Sequence, residues 1–279
     1  MLLAIDVGNT NTVLGCFWNG TLKRTWRVST HPICTADEFK IKLAALFKLE
    51  GLEMQAFDSV LVSSVVPSYT AMLRSSFQES PLHVINHQSP FSFTIKANPA
   101  SQVGADRLVN AEAALQEYGA PCIIVDSGTA TTLCALSPNK EYLGGAILPG
   151  IELSIETLAR KTAQLFTIEL VVPEKAIGAN TQEALRSGIL LGYAEMIDGM
   201  VRRFKKELGR SDAPVVATGG ISAWLKGVAQ ELQHFDKDLT LKGIASIYES
   251  LRCREFTAYT HRQENLARHQ RQYCYIQSA

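Results

Sequence analysis

The sequence predicts a mixed α/β protein built from two similar halves. Three features carry that reading. First, "DVGNTNTVLGCFWNG" at 6–20 and "DSGTATTLCALSPNK" at 126–140 each follow a short apolar run. Aligned without gaps, Asp6 meets Asp126, Gly8 meets Gly128 and Thr12 meets Thr132. Second, each half opens with strand-like runs joined by a turn signal, Asn19-Gly20 in one and Pro138-Asn139 in the other. Such a dipeptide between two apolar runs marks a hairpin. Third, buried strands then alternate with helical periods, and this α/β pattern occurs twice.

In the first half, Leu2–Ile5 reads as a strand, followed by the strands "NTVLGCFW" and "TLKRTWRVS". "ADEFKIKLAALFKLEG" has helical spacing, with Phe39, Leu43, Leu46 and Phe47 on one side and Gly51 as its stop. "DSVLVSSVVP" reads as a buried strand, and "PSYTAMLRSSFQ" as a helix opened by proline. "ADRLVNAEAALQEYG" is a helix ending in glycine. The second half holds strands at 121–126, 130–136 and 141–147, then a helix from about 150. A long helix spans roughly 180–208, opened by Asn180, Thr181 and Glu183. "APVVATGG" is a buried strand with a glycine turn, Ile221 opens another helix, and "DLTLKGIASIYESL" reads as one more. A division near residue 117 gives domains at 1–117 and 118–250, packed around a shared cleft. Residues 251–279, rich in Arg, Gln and His and without amphipathic period, read as an extension outside both.

The bulk properties exclude several classes of function. The chain has 279 residues, 46% of them apolar and 19% charged, which fits a folded globular protein. Its formal net charge is zero, so no nucleic-acid footprint or polybasic membrane patch is expected. No apolar run approaches the roughly 20 residues that span a bilayer, and the N-terminus does not read as a signal peptide. The six cysteines have no CxxC spacing, so a reducing cytoplasm is the expected compartment.

The chemistry lies in the turns. A turn of Gly, Ser, Thr and Asn after a strand presents backbone N–H groups and hydroxyls that bind phosphate oxygens. Glycine lets the backbone approach the ligand. A carboxylate at the strand end suits hydrated Mg²⁺, which takes one or two carboxylates plus phosphate oxygens and waters. Asp6 and Asp126 therefore read as two ends of one clamp for a nucleoside triphosphate and its metal. Thr218-Gly219-Gly220 adds a third turn after a buried strand. No GxxxxGK[ST] motif occurs, and no GxGxxG follows a strand.

The set "DVGNTNT", "NPASQVGADRLVNA", "DSGTATT", "GGAILPGI", "ANTQEALRSGI" and "ATGG" resembles the type III pantothenate kinases, over about residues 1–250. The resemblance implies a duplicated actin/ribonuclease H-like fold with a nucleotide cleft between the domains. It implies ATP-dependent phosphorylation of pantothenate, the first step of coenzyme A synthesis. It also implies Mg²⁺, a monovalent cation (K⁺ or NH₄⁺), and a homodimer. A relative class described as Bvg accessory factors supplies the alternative, a regulatory protein on the same fold. Another small hydroxyl acceptor is the alternative within kinases.

By that resemblance, Asp6, Val7, Gly8, Asn9, Thr10, Asn11, Thr12 and Val13 form the ATP phosphate loop, with Asp6 orienting Mg²⁺. Gly104, Ala105, Asp106 and Arg107 form the pantothenate loop. Asp106 is the expected general base, because the acceptor hydroxyl loses its proton as it attacks phosphorus. The alternative task for Asp106 is to cap its helix. Arg107 offers a planar fork that suits the pantothenate carboxylate. Asp126 resembles the ligand of the monovalent cation, and Thr129 an ATP contact. Thr181 resembles a substrate contact made from the partner subunit, or else a plain N-cap. Gly219 and Gly220 are expected against the nucleotide. The departure from the family pattern is Lys96, which stands three residues before Pro99 where a tyrosine is usual.

Overall fold

The computed structural model describes residues 1–53, 56–78, 82–162 and 165–254. The tail beyond 254 lies outside the described residues. Two sheets form the frame. The first has β1 (Leu2–Val7), β2 (Asn11–Trp18), β3 (Thr21–Ser29), β4 (Ser59–Ser64) and β5 (Leu82–Val84), in the order β3-β2-β1-β4-β5. The second takes in β6 (Thr94–Ile95), β7 (Cys122–Ser127), β8 (Ala130–Leu136), β9 (Glu141–Pro149), β10 (Val215–Thr218) and β11 (His234–Phe235). Its order is β11-β10-β7-β8-β9-β6. Without the edge strand β6, this is the first sheet's order repeated. In the first sheet β3-β2 and β2-β1 pair antiparallel and β1-β4 and β4-β5 parallel; in the second, β9-β8 and β8-β7 pair antiparallel and β7-β10 and β10-β11 parallel. The predicted duplication is thus a duplication of topology.

The alternation of side chains along β1 and β7 decides the layers. Leu3, Ile5 and Val7 face a core shared with α1 (Ala36–Leu49) and α2 (Pro67–Ser76). Leu2 and Ala4 face the other way. In β7, Ile123 and Val125 meet α4 (Ile151–Lys161) and α6 (Gly192–Leu208), while Cys122 and Ile124 face α3 (Ala105–Tyr118). Both strands are buried on both faces, which is why their sequences read as continuous apolar runs. Their burial patterns are the same, with only the fifth residue partly open. That residue is Asp6 in one and Asp126 in the other.

Two helices lie between the sheets. Leu108, Ala111, Ala114 and Leu115 of α3 pack on the second sheet, and Val109 faces the first. The helix at 239–254, here α8, packs Leu241, Ile244 and Ile247 against Leu2, Ala4 and Phe17 of the first sheet. The C-terminal segment therefore returns to the N-terminal sheet. Most predicted elements occur, within a few residues at their ends. The long helix at 180–208 is divided: α5 (Thr181–Arg186), a π-helical turn (Ser187–Leu191) and α6 run on without a break. The helix expected at Ile221 is the single turn α7 (Ser222–Leu225). The short strands β6 and β11 escaped the sequence reading, since two residues give no period.

α3 and α8 cross at Gly243, where a Cβ would overlap the Val109 carbonyl. Gly243→Ala is expected to destabilise the protein by about 1–3 kcal/mol through overpacking, read as a lower urea midpoint at unchanged m-value. An unchanged midpoint would mean that the helix crossing relaxes freely.

Candidate active site

Period-two alternation puts Asp6 on the face of β1 that carries Leu2 and Ala4, and Asp126 on the face of β7 that carries Cys122 and Ile124. Both carboxylates thus emerge on the inward faces, at strand ends, where α3 begins. Asp106 is the second residue of α3. The three acids sense one another electrostatically. Burial, then Asp106 and Asp126, push Asp6 up to about 8, against the neighbouring Ser63 hydroxyl and Arg27. Burial and Asp106 push Asp126 up to about 6, opposed by the Asn110 amide. Burial raises Asp106 as well, and the Arg107 backbone N–H and guanidinium oppose that rise. None of the three forms a salt bridge among the described residues.

The two turns touch. Thr10 Oγ1 and Thr129 Oγ1 are 2.8 Å apart, joining tips 119 residues distant in sequence. The first turn closes with Gly8 N–H donating to Asn11 O at 3.0 Å, and Thr30 Oγ1 donates to Gly8 O at 2.8 Å. In the second, Gly128 N–H donates to Ala130 O at 3.2 Å. Register shows that the turns differ by one residue. Val7 pairs Thr12, whereas Ser127 pairs Thr131. Beyond the turn the gapless alignment therefore slips: the structural counterpart of Thr12 is Thr131, not Thr132. Thr12 and Thr131 are both fully buried, at 0% exposure.

Asn9 and Thr10 are exposed, while Val7 and Thr12 point into the core. Only the backbone of these two is available at the turn's outer surface. Gly219, at φ +88°, lies where a Cβ would come 2.6 Å from Asp126 Oδ1 and 2.5 Å from Ser127 O. Gly150 is similarly pressed on the second turn, 2.5 Å from Gly128 O to its would-be Cβ. The glycines thus allow the third turn and the start of α4 to close around Asp126.

Asp106 Oδ1 accepts from the Arg107 backbone N–H at 2.8 Å. The carboxylate therefore satisfies one free N–H of the first helical turn, although the N-cap position itself is Gly104. Arg107 Nε–H donates to Cys134 Sγ at 3.3 Å. Lys96 forms an ion pair with Glu141 at 3.3 Å. Thr181 is the first residue of α5, and the N-cap is Asn180, whose side chain accepts from Glu183 N–H at 3.0 Å. The Thr181 hydroxyl is thus exposed and not consumed by capping.

Several supporting residues were not singled out from sequence. Asn110, 1% exposed, donates to Asp126 Oδ2 at 2.9 Å and accepts from Thr240 of α8 at 2.7 Å. Tyr193, just after the π turn, meets Thr131 beneath the second turn. A sequence signal existed only for Asn110, which lies four residues after Asp106 and so on the same helix face.

Among the described residues no group of three or more His, Cys, Asp or Glu is arranged to hold a metal unaided. The chemistry of the donor set still fits a cation shared with phosphate oxygens. Half-buried acids set close together are relieved by positive charge between them.

The profile of the type III pantothenate kinase family matches residues 2–203. The chain belongs to that family. Type III pantothenate kinases of Rubrobacter xylanophilus and Halalkalibacterium halodurans are 44% and 41% identical to it. Each alignment covers 89% of this chain, and 97% and 99% of the relative. Among solved structures, a Campylobacter jejuni protein described as a candidate Baf family transcriptional activator superposes with a TM-score of 0.58 at 20% identity. That match covers 89% of this chain and 98% of the other. Component A of the (R)-2-hydroxyglutaryl-CoA dehydratase of Acidaminococcus fermentans follows at 0.52 and 12%, covering 88% of this chain and 96% of the other. These likenesses show the fold, a duplicated actin-like one. Among the described residues of this pantothenate kinase family member, no helix is long and apolar enough to cross a membrane.

An acid whose pKa is raised by folding binds more protons in the native state than in the unfolded chain. Stability then falls as pH rises from the ordinary carboxylate range towards about 8, the Asp6 value. Without nucleotide or metal, the thermal midpoint is expected to fall between about pH 5 and pH 8. Asp6→Asn is expected to flatten that slope. Equal slopes in the two proteins, followed by differential scanning fluorimetry, would contradict the crowding of the acids.

Proposed function

We propose that this chain transfers the γ-phosphoryl group of ATP to the hydroxyl of pantothenate, at the cleft marked by Asp6, Asp106 and Asp126. The observation that carries the reading is the meeting of the two turns through Thr10 and Thr129, beside the acids. The first turn, Asp6 to Val13, takes ATP phosphates with its backbone and the exposed Asn9 and Thr10. Thr129, Gly219 and Gly220 line the nucleotide from the other half. Gly104, Ala105, Asp106 and Arg107 face the acceptor.

Asp106 accepts the proton of the acceptor hydroxyl as it attacks. Its raised pKa makes it a better acceptor of that proton than an ordinary surface carboxylate. Arg107 holds the pantothenate carboxylate and so fixes the distance from that charge to the hydroxyl. Mg²⁺ at Asp6 and K⁺ or NH₄⁺ at Asp126 would supply charge that offsets the phosphates. The lobes at 1–117 and 118–250 close over the substrates and exclude water. Lys96, held by Glu141, lends its charge to the rim of the acceptor side.

The same proposal includes a homodimer and a cytoplasmic location. Exposed apolar side chains support the dimer: Ile147 on β9, Leu153 and Leu158 on α4, and Val171, Val172 and Ile177 beyond it, with Ile177 at 89%. Thr181 lies close to them in sequence, consistent with a substrate contact across subunits. The thiols of Cys16, Cys34, Cys122 and Cys134 fit a reducing compartment.

Purified protein with Mg-ATP and K⁺ is expected to release ADP only when pantothenate is present. Asp106→Asn is expected to fold, bind ATP and lose at least about 100-fold in kcat. Full turnover in that variant would remove the base role. DNA binding at physiological salt without turnover would favour a regulatory protein instead. K⁺ or NH₄⁺ is expected to stimulate far more than Na⁺, and equal rates with all of them would remove the cation role of Asp126.

A further inference from the structure

Arg107 reaches from α3 to the second sheet, where Cys134 Sγ accepts its Nε–H at 3.3 Å. The same sulfur accepts the Tyr142 hydroxyl at 3.2 Å. Cys134 and Tyr142 are 2% and 0% exposed. The thiol is therefore an anchored point that Arg107 leans on. The terminal nitrogens of the fork have no protein partner among the described residues. A guanidinium presents its donors in a rigid plane. Fixing Nε fixes that plane and leaves the outer edge for a two-pronged grip on an anion.

The kind of atom at position 134 also matters. Sulfur is a weak acceptor, and burial pushes the Cys134 thiol up, so it stays neutral beside the guanidinium. A carboxylate there would neutralise Arg107 and occupy its fork. A neutral thiol orients the fork without supplying a counter-charge of its own.

We propose that Cys134, held in turn by Tyr142, is a positioning residue that aims Arg107 at the carboxylate of the acceptor substrate. This rests on the reading of Arg107 as the partner of that carboxylate. Cys134 touches no reacting atom. Its influence falls on acceptor binding and not on phosphoryl transfer.

The test is steady-state kinetics of the full chain with pantothenate and Mg-ATP. Cys134→Val removes the acceptor and leaves an apolar side chain only slightly larger than cysteine. It is expected to raise KM for pantothenate about tenfold, the size of a lost hydrogen bond to a charged group. Its kcat and its KM for ATP should stay within about twofold of wild type, since those steps do not use the fork. Cys134→Ser, which restores an acceptor, should recover most of the loss. In an Arg107→Ala background, Cys134→Val should add nothing further to KM, because both changes remove the same grip. If Arg107→Ala raises KM for pantothenate and Cys134→Val does not, the positioning role is overturned and the carboxylate reading stands. If Arg107→Ala leaves KM unchanged, the carboxylate reading falls and takes this inference with it. A Cys134→Val protein that melts lower and loses kcat and both KM values together would show a packing role alone.

Discussion

The constraint on which the structure depends is the crowding of like charge at the cleft. Asp6, Asp106 and Asp126 arrive from two strand ends and one helix start; burial raises all three, and repulsion from neighbouring acids adds to the rise at Asp6 and Asp126. Such a cluster works against folding at neutral pH. It persists because the surrounding frame over-determines it. Asp6 and Asp126 each lie at the end of a strand whose preceding residues are buried on both faces, so neither strand can shift register without moving its whole apolar set to the wrong side. Acids crowded in this way are stabilised by positive charge brought among them.

The duplication explains how two distant segments meet so closely. Each half contributes the same strand order and the same buried strand with one open residue. The faces carrying the acids are turned towards α3 and α8. α3 is central to this arrangement. Its first turn carries Asp106 and Arg107, its middle carries Asn110 beneath Asp126, and its body packs on the second sheet. α8 packs beside it at Gly243 and orients Asn110 through Thr240. Helix α8 thus supports the site while lying on the N-terminal sheet. Cleft geometry and inter-sheet packing are therefore coupled by a single layer.

The interior polar contacts have a consistent logic. Buried hydroxyls and amides bond one another below the turns: Thr12 with Thr30, Thr131 with Tyr193, Asn110 with Asp126 and Thr240. Buried polar groups left without partners are costly, so these networks hold the turns rigid from below. Asn9, Thr10 and Thr129 stay exposed at the tips of the turns.

The sequence alone determined the α/β class, the twofold recurrence, nearly all long elements, and the acid-glycine turns together with Asp106 and Arg107. These are local: hydrophobic period, turn chemistry and short motifs are properties of neighbouring residues. It also marked Lys96, Thr181 and Asn180, but offered Thr181 where Asn180 is the actual N-cap, and did not mark Glu141 as the ion-pair partner of Lys96. Tertiary structure decided what depends on distant pairing. It set which face of each buried strand carries its aspartate, since a continuous apolar run does not reveal its inward side. It set the one-residue difference between the turns, which only strand register exposes. It placed α8 on the opposite half's sheet and brought Cys134 and Tyr142 to Arg107 across 27 and 35 residues of chain. Contacts of that kind arise only when the sheets and the helices between them are assembled, because no local pattern encodes which partners meet.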